Sequence, residues 1–229
     1  MIAHWDEVEE HGSTFVALGP AIGSRKITVN LLKLPPGGRS GASGTTCESI
    51  LHVLRGSGRH GDDELGPGDT VVHLAGTAPR ELRAGSDGLD ALLFFELVPR
   101  EAAAEGAGRA GTVLALADAP VILGGAVRIL GDAAGSVHTG LNTFTHLPGG
   151  PEYVPHAHSL EEEIFVVLEG SGEFHAGEET WPVRAGHVIS CLPGTGVPHA
   201  FTAGPDGMTH LAYGTRDPDD VPYYPSETD

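Results

Sequence analysis

GGPEYVPHAHSLEEEIFVVLEGSG, residues 149–172, is the stretch that decides the fold. A Gly/Pro-rich approach leads to His156 and His158, then to Glu161, Glu162 and Glu163, then to an apolar run ending at Gly170. Strand side chains alternate between faces, so His156 and His158 point the same way. By the same parity Glu163, Phe165 and Val167 share one face of the next strand, and Glu162, Ile164 and Val166 share the other. Glu161 and Glu162 fall near the turn, where exposure to solvent is expected. Glu163 is therefore the glutamate placed to join the two histidines. Farther on, PGTGVPHAF (193–201) brings in His199 after a Gly/Pro turn. Two imidazoles close in sequence, a carboxylate and a third imidazole can encircle one divalent transition metal.

The chain repeats itself. VNLLKLPPGG (29–38) matches LNTFTHLPGG (141–150), and CESILHVLRGSG (47–58) matches EEEIFVVLEGSG (161–172). GPGDTVVHLAGTAPRELRAGSDGLDALLF (66–94) matches RAGHVISCLPGTGVPHAFTAGPDGMTHLAY (184–213). Collinear blocks at similar spacing predict two copies of one module. Between them, 101–105 suggests a short helix and 106–111 a flexible joint, so the expected division is 1–110, 111–215 and an extended tail, 216–229. Short runs ending at glycine, such as EIFVVLEG and HVISCLPG, predict antiparallel strands in a sandwich or barrel.

Composition narrows the function classes. The chain has 229 residues, 40% hydrophobic, with Gly 34 and Pro 17, which suits many short strands and tight turns. The net charge is −18 with only 13 Lys and Arg, so a phosphate backbone would be repelled and nucleic-acid binding is not expected. No apolar run reaches spanning length and no basic-then-apolar leader opens the chain, so a cytoplasmic protein without membrane contact is expected. Cys47 and Cys191 form no CxxC pair and read as free thiols.

The run Gly150, His156, His158, Glu163, Gly170 resembles the first motif of the cupin family, and Gly186, Pro193, Gly196, His199 resembles the second, with slightly longer spacing around Pro193. With the repeat, the whole chain resembles a bicupin. The resemblance implies an all-β chain of two tandem double-stranded β-barrel (jelly-roll) modules. It implies one divalent transition metal per chain (Fe, Mn, Ni or Zn), held by His156, His158, Glu163 and His199. It also implies a small-molecule substrate and a homodimer. Among cupin activities, an Fe(II) dioxygenase-like reaction on a small oxygenated organic substrate is the first expectation. A sugar or keto-acid isomerase and a non-catalytic small-molecule-binding cupin are the alternatives. His146 and His210 are the candidate catalytic acid–base groups. In the first module Ser49 aligns with Glu163, Arg80 with His199 and His73 with Cys191, so no metal is expected there. Arg80, with Arg39 nearby, is a candidate anion contact because a guanidinium pairs with carboxylates and cannot ligate a cation; the competing expectation ties Arg80 to an acid such as Glu48 or Asp69.

Overall fold

Among the described residues, strand-length runs interrupted by glycine fold as strands, with only two short α-helices, Gly19–Ile22 and Gly131–Ala134. The computed structural model describes residues 1–9, 14–40, 46–78, 80–98, 113–149 and 154–225. The helix expected at 101–105 and the joint at 106–111 lie outside the described residues.

Among the described residues there are two eight-stranded sheets and one two-stranded sheet. In the first, Ser49–His60 pairs with Thr70–His73 on one side and Leu82–Glu96 on the other. In the second, Glu163–Ala176 pairs with His187–Cys191 and His199–Thr215 in the same way. Even the irregularities repeat: register shifts fall at Val53/Arg55 and Gly56/Gly58 in one sheet, and at Val167/Glu169 and Gly170/Gly172 in the other. Gly170 shows why the motif ends on glycine. Its φ is 72°, and a β-carbon there would collide with the Gly207 carbonyl oxygen. Gly186, at φ 98°, leaves room for the His4 ring in the same manner.

The sheets also trade strands. Ile2–His4 pairs with His187–Cys191 in the second sheet, while Val113–Leu114 pairs with Thr70–His73 in the first. Strand parity then divides the core. Ile164, Val166, Leu211 and Tyr213 join Ile50, Leu92 and Phe94 in one cluster shared by both sheets. Phe165, Val167, Phe174, Ile189 and Phe201 fill the interior of the second sheet. Leu51, Val53, Val71 and Leu89 do the same in the first.

Glu162 corrects the expectation of a solvated side chain. It is 0% exposed, because its face of the strand packs toward the first sheet. Its carboxylate accepts hydrogen bonds from the backbone N–H groups of Arg25 (2.9 Å) and Lys26 (2.6 Å). Glu48, its counterpart in the repeat, is also 0% exposed and accepts from Val137, His138 and Thr139 N–H at 2.8, 3.1 and 2.9 Å. Each repeat thus holds a buried carboxylate against the backbone that follows the other's short helix. Glu161 is not free either: its Oε1 accepts the Asp217 N–H at 2.8 Å.

His52 stands on the same inter-sheet face, buried, with Nδ1 3.0 Å from Thr70 Oγ1. Burial pushes its pKa down to about 4. The folded state therefore favours the neutral ring, whereas the unfolded chain takes up a proton near pH 6.5. Its contribution is complete above about pH 6.5 and is lost as pH falls toward about 4, a loss of up to about 3 kcal/mol. His73, pushed down to about 4 by burial, His60 and Arg80, adds to the same acid slope. Urea unfolding across this pH window should show a steep stability loss in the wild type and a shallower one in His52→Gln, which retains His73. Parallel curves would remove His52 from this account.

Candidate metal centre

The second motif's turn carries the chain back against the first, so His156 and His199 are backbone partners: His199 N–H donates to His156 O (2.8 Å), and His156 N–H to His199 O (3.3 Å). Glu163 enters at the start of its strand, opposite Cys191 and Gly214. Its Oε2 lies 3.9 Å from His156 Nε2, 3.6 Å from His158 Nε2 and 2.9 Å from His199 Nε2. Potential ligand atoms of His156, His158 and Glu163 lie within 4.8 Å of one another, and His199 joins them through the carboxylate.

The hydrogen-bonding state of these atoms fits a cation. Glu163 Oε2 and His199 Nε2 are both buried, and neither has an aligned hydrogen-bond partner among the described residues. Buried polar atoms left this way are costly unless something fills the space between them. His156 Nδ1 donates to Val154 O at 3.1 Å, leaving its Nε2 lone pair toward Glu163. His158 Nδ1 is engaged by Asp220 Oδ2 at 2.6 Å, with the same consequence. Burial would raise the Glu163 pKa, but the facing histidines, His199 foremost, outweigh it and hold the carboxylate ionised. Burial would lower the His199 imidazole, yet contacts with the Cys191 side chain and Glu163 hold it up to about 10. That proton belongs to the metal-free chain; a divalent ion would displace it and supply the positive charge that the ionised carboxylate demands.

The cavity at this centre is about 10 Å³, lined by His158, Glu161, Glu163, Cys191, Val197 and His199 among others. That is room for about one small atom. Cys191 and Asp220 are the residues that sequence reading missed. Cys191 was legible only through its register opposite Glu163; Asp220 lies in the tail, with no local signal.

His146 and His210 form a separate pair, His146 Nε2 3.2 Å from His210 Nδ1, both buried. They are absent from the described lining of the ligand cavity. Phe165 stands between the groups, its ring 5.3 Å from that of His199 and 5.7 Å from that of His210. Burial lowers both imidazoles, and His146 lowers His210 further.

In the first sheet the equivalent position is built differently. Ser49 pairs with His73 as Glu163 pairs with Cys191. His73 Nε2 lies 2.7 Å from His60 Nε2. Arg80 binds Asp63 Oδ2 at 2.9 Å, with its side chain 31% exposed. The acid at this distance is Asp63, whereas Glu48 holds residues 137–139 and the Asp69 Oδ2 accepts the Gly66 N–H. Arg39 pairs instead with Glu81, at 3.1 Å.

Residues 142–211 match the family model described as the cupin domain. The matched stretch includes all four candidate ligands, and the all-β architecture matches cupin jelly-roll structures. A variant of the Bacillus subtilis oxalate decarboxylase superposes with TM-score 0.76 at 14% identity, over 99% of this chain and 80% of that one. The formate complex of the Lactobacillus farciminis oxalate decarboxylase gives TM-score 0.75 at 14% identity, over 99% and 88%. The protein Ylba from E. coli gives TM-score 0.73 at 16% identity, over 94% and 91%. Comparison with curated protein sequences returns no match. No helix among the described residues is long and apolar enough to cross a membrane.

Proposed function

We propose that the chain is a bicupin, divided near residue 110, and a mononuclear metal-dependent enzyme acting on a small oxygenated organic acid. His156, His158, Glu163 and His199 would hold one divalent transition metal. The observation that carries the reading is the convergence of three imidazole Nε2 atoms, those of His156, His158 and His199, within 3.9 Å of the buried Glu163 Oε2. When bound, a divalent ion there would supply Lewis acidity toward a chelating carboxylate or carbonyl oxygen or, as Fe(II), electrons for dioxygen chemistry.

The protein's own part is to orient three neutral imidazoles, keep Glu163 ionised and exclude water with the Phe165, Phe174 and Phe201 layer. Because Glu163 is committed to the cation, acid–base work falls to other groups. His146 and His210 are the candidates, and a proton from them would have to pass Phe165. The structural likeness to oxalate decarboxylases supports a small carboxylate as the substrate class. The one-atom cavity favours a second reading, a cupin that holds an ion without turnover. Arg80 remains a candidate anion contact in the first module, by exchange of its Asp63 partner.

Protein purified without chelator should contain one metal per chain by elemental analysis. The basis is that the first module has Ser49 and Arg80 where the second has Glu163 and His199. Two equivalents per chain would contradict the assignment. Oxygen uptake with small carboxylic acids then separates the activities. Uptake supports the dioxygenase, metal-dependent turnover without uptake supports an isomerase or decarboxylase, and neither supports the binding protein.

A further inference from the structure

The tail returns across the metal centre. Pro222–Tyr223 pairs antiparallel with Ala157–His158, and the Tyr224 ring lies 5.9 Å from that of His156. Pro222, Tyr223 and Tyr224 lie C-terminal to the stretch that matches the cupin model, and their partners lie inside it. At the centre of the contact is Asp220, whose two oxygens meet four donors. Oδ2 accepts from His158 Nδ1 (2.6 Å), and Oδ1 accepts from Ser159 Oγ (3.1 Å), Leu160 N–H (2.7 Å) and Glu161 N–H (3.1 Å). The Ser159 hydroxyl is oriented for this because it accepts the Val221 N–H at 2.8 Å.

We propose that Asp220 is a positioning residue for the metal centre: it fixes His158 in the Nδ1–H tautomer and so keeps the Nε2 lone pair free for the cation. This rests on the metal reading above. A neutral imidazole carries one N–H, and the nitrogen that carries it is set by the partner of that nitrogen. An ionised carboxylate only accepts, so it selects the proton onto Nδ1. The adjacent backbone donors reinforce the choice. With Leu160 and Glu161 N–H groups pointing at Oδ1, both oxygens must be acceptors, and only aspartate supplies two. An asparagine would have to turn its NH₂ either toward the backbone donors or toward His158. In the second orientation it would donate to Nδ1 and drive the proton to Nε2, where it blocks ligation. Carboxylate partners of this kind raise ligand basicity as well as fixing ring orientation.

The test uses Zn²⁺ titration of the metal-free full chain against a competing chelator, for the wild type, Asp220→Asn and Ser159→Ala. Asp220→Asn should bind Zn²⁺ about 10–100-fold more weakly. Ser159→Ala removes one contact to Oδ1 but leaves Oδ2 on His158, and should bind as the wild type does. Nitrogen-15 NMR of the metal-free wild type, at about pH 8.5, above the range in which a free imidazole titrates, should show His158 as the Nδ1–H tautomer. That measurement needs no variant, so it decides even if Asp220→Asn fails to fold. A wild type that does not bind Zn²⁺ overturns the metal reading itself. A wild type that binds, with an Asp220→Asn variant of equal affinity, overturns the role of Asp220 alone. So does equal weakening by Ser159→Ala, which would mean that Asp220 acts only through the turn. An Nε2–H tautomer in the wild type overturns it as well.

Discussion

Glu163→Ala should strip the metal from the protein, with affinity at least about 100-fold below the wild type. Outer hydrogen-bond partners of metal ligands are worth about 10–100-fold in affinity, and a direct anionic donor should exceed that range. Glu163 Oε2 is the point on which the ligand set converges, within 3.9 Å of three Nε2 atoms. Removing it leaves three neutral donors around a divalent charge in a buried site and removes the negative charge that offsets the cation. Glu163→Gln keeps the shape and loses the charge, so it should fall between. Glu161→Ala should retain metal, because its side chain holds the Asp217 N–H at the cavity's edge. Metal content after gel filtration, with chelator titrations, decides the matter. Equal retention by Glu161→Ala and Glu163→Ala would mean that the ligand assignment is wrong.

That ranking of neighbouring glutamates was legible before the structure, because strand parity is a local property. Glu163, Phe165 and Val167 do face the barrel interior, and Ile164 and Val166 do face away. The environment of the outward face was not legible. Glu162 was expected in solvent because it sits beside a turn, but in this fold the outer face of one sheet is covered by the other. The repeat held the clue: Glu48 occupies the same place as Glu162, and a repeated acid beside an apolar strand is an unusual surface choice. Asp220 lay beyond sequence reading for a different reason. Its partner His158 is 62 residues away, and the tail's return is fixed by pairing at Ala157↔Tyr223, which no local pattern encodes. His146 and His210 are candidate acid–base groups in the sequence, but parity does not give depth along a barrel, and Phe165 lies between them and His199.

Glu162→Ala should destabilise the fold while leaving the ligands in place, the reverse of Glu163→Ala one residue on. The loss exposes no surface; it strands the Arg25 and Lys26 amides in a region where Glu162 is 0% exposed. A buried donor left unsatisfied costs about 1–3 kcal/mol, so two cost about 2–6 kcal/mol. At about 2–4 °C per kcal/mol for a chain of this size, Tm should fall by roughly 5–20 °C. Glu48→Ala should cost at least as much, since it strands the Val137, His138 and Thr139 amides and the Thr139 hydroxyl together. The two carboxylates hold different backbone segments, so their effects should add if each acts only on its own amides. A double variant that loses much less than the sum would mean that the inter-sheet contact opens as one unit once either carboxylate is gone. The wild-type and Glu162→Ala melting curves, each with and without Zn²⁺, complete the argument. Glu162→Ala should keep the wild-type increment of stabilisation by metal, because its carboxylate faces away from the ion; loss of that increment would place Glu162 in the metal centre and refute the parity drawn for the strand.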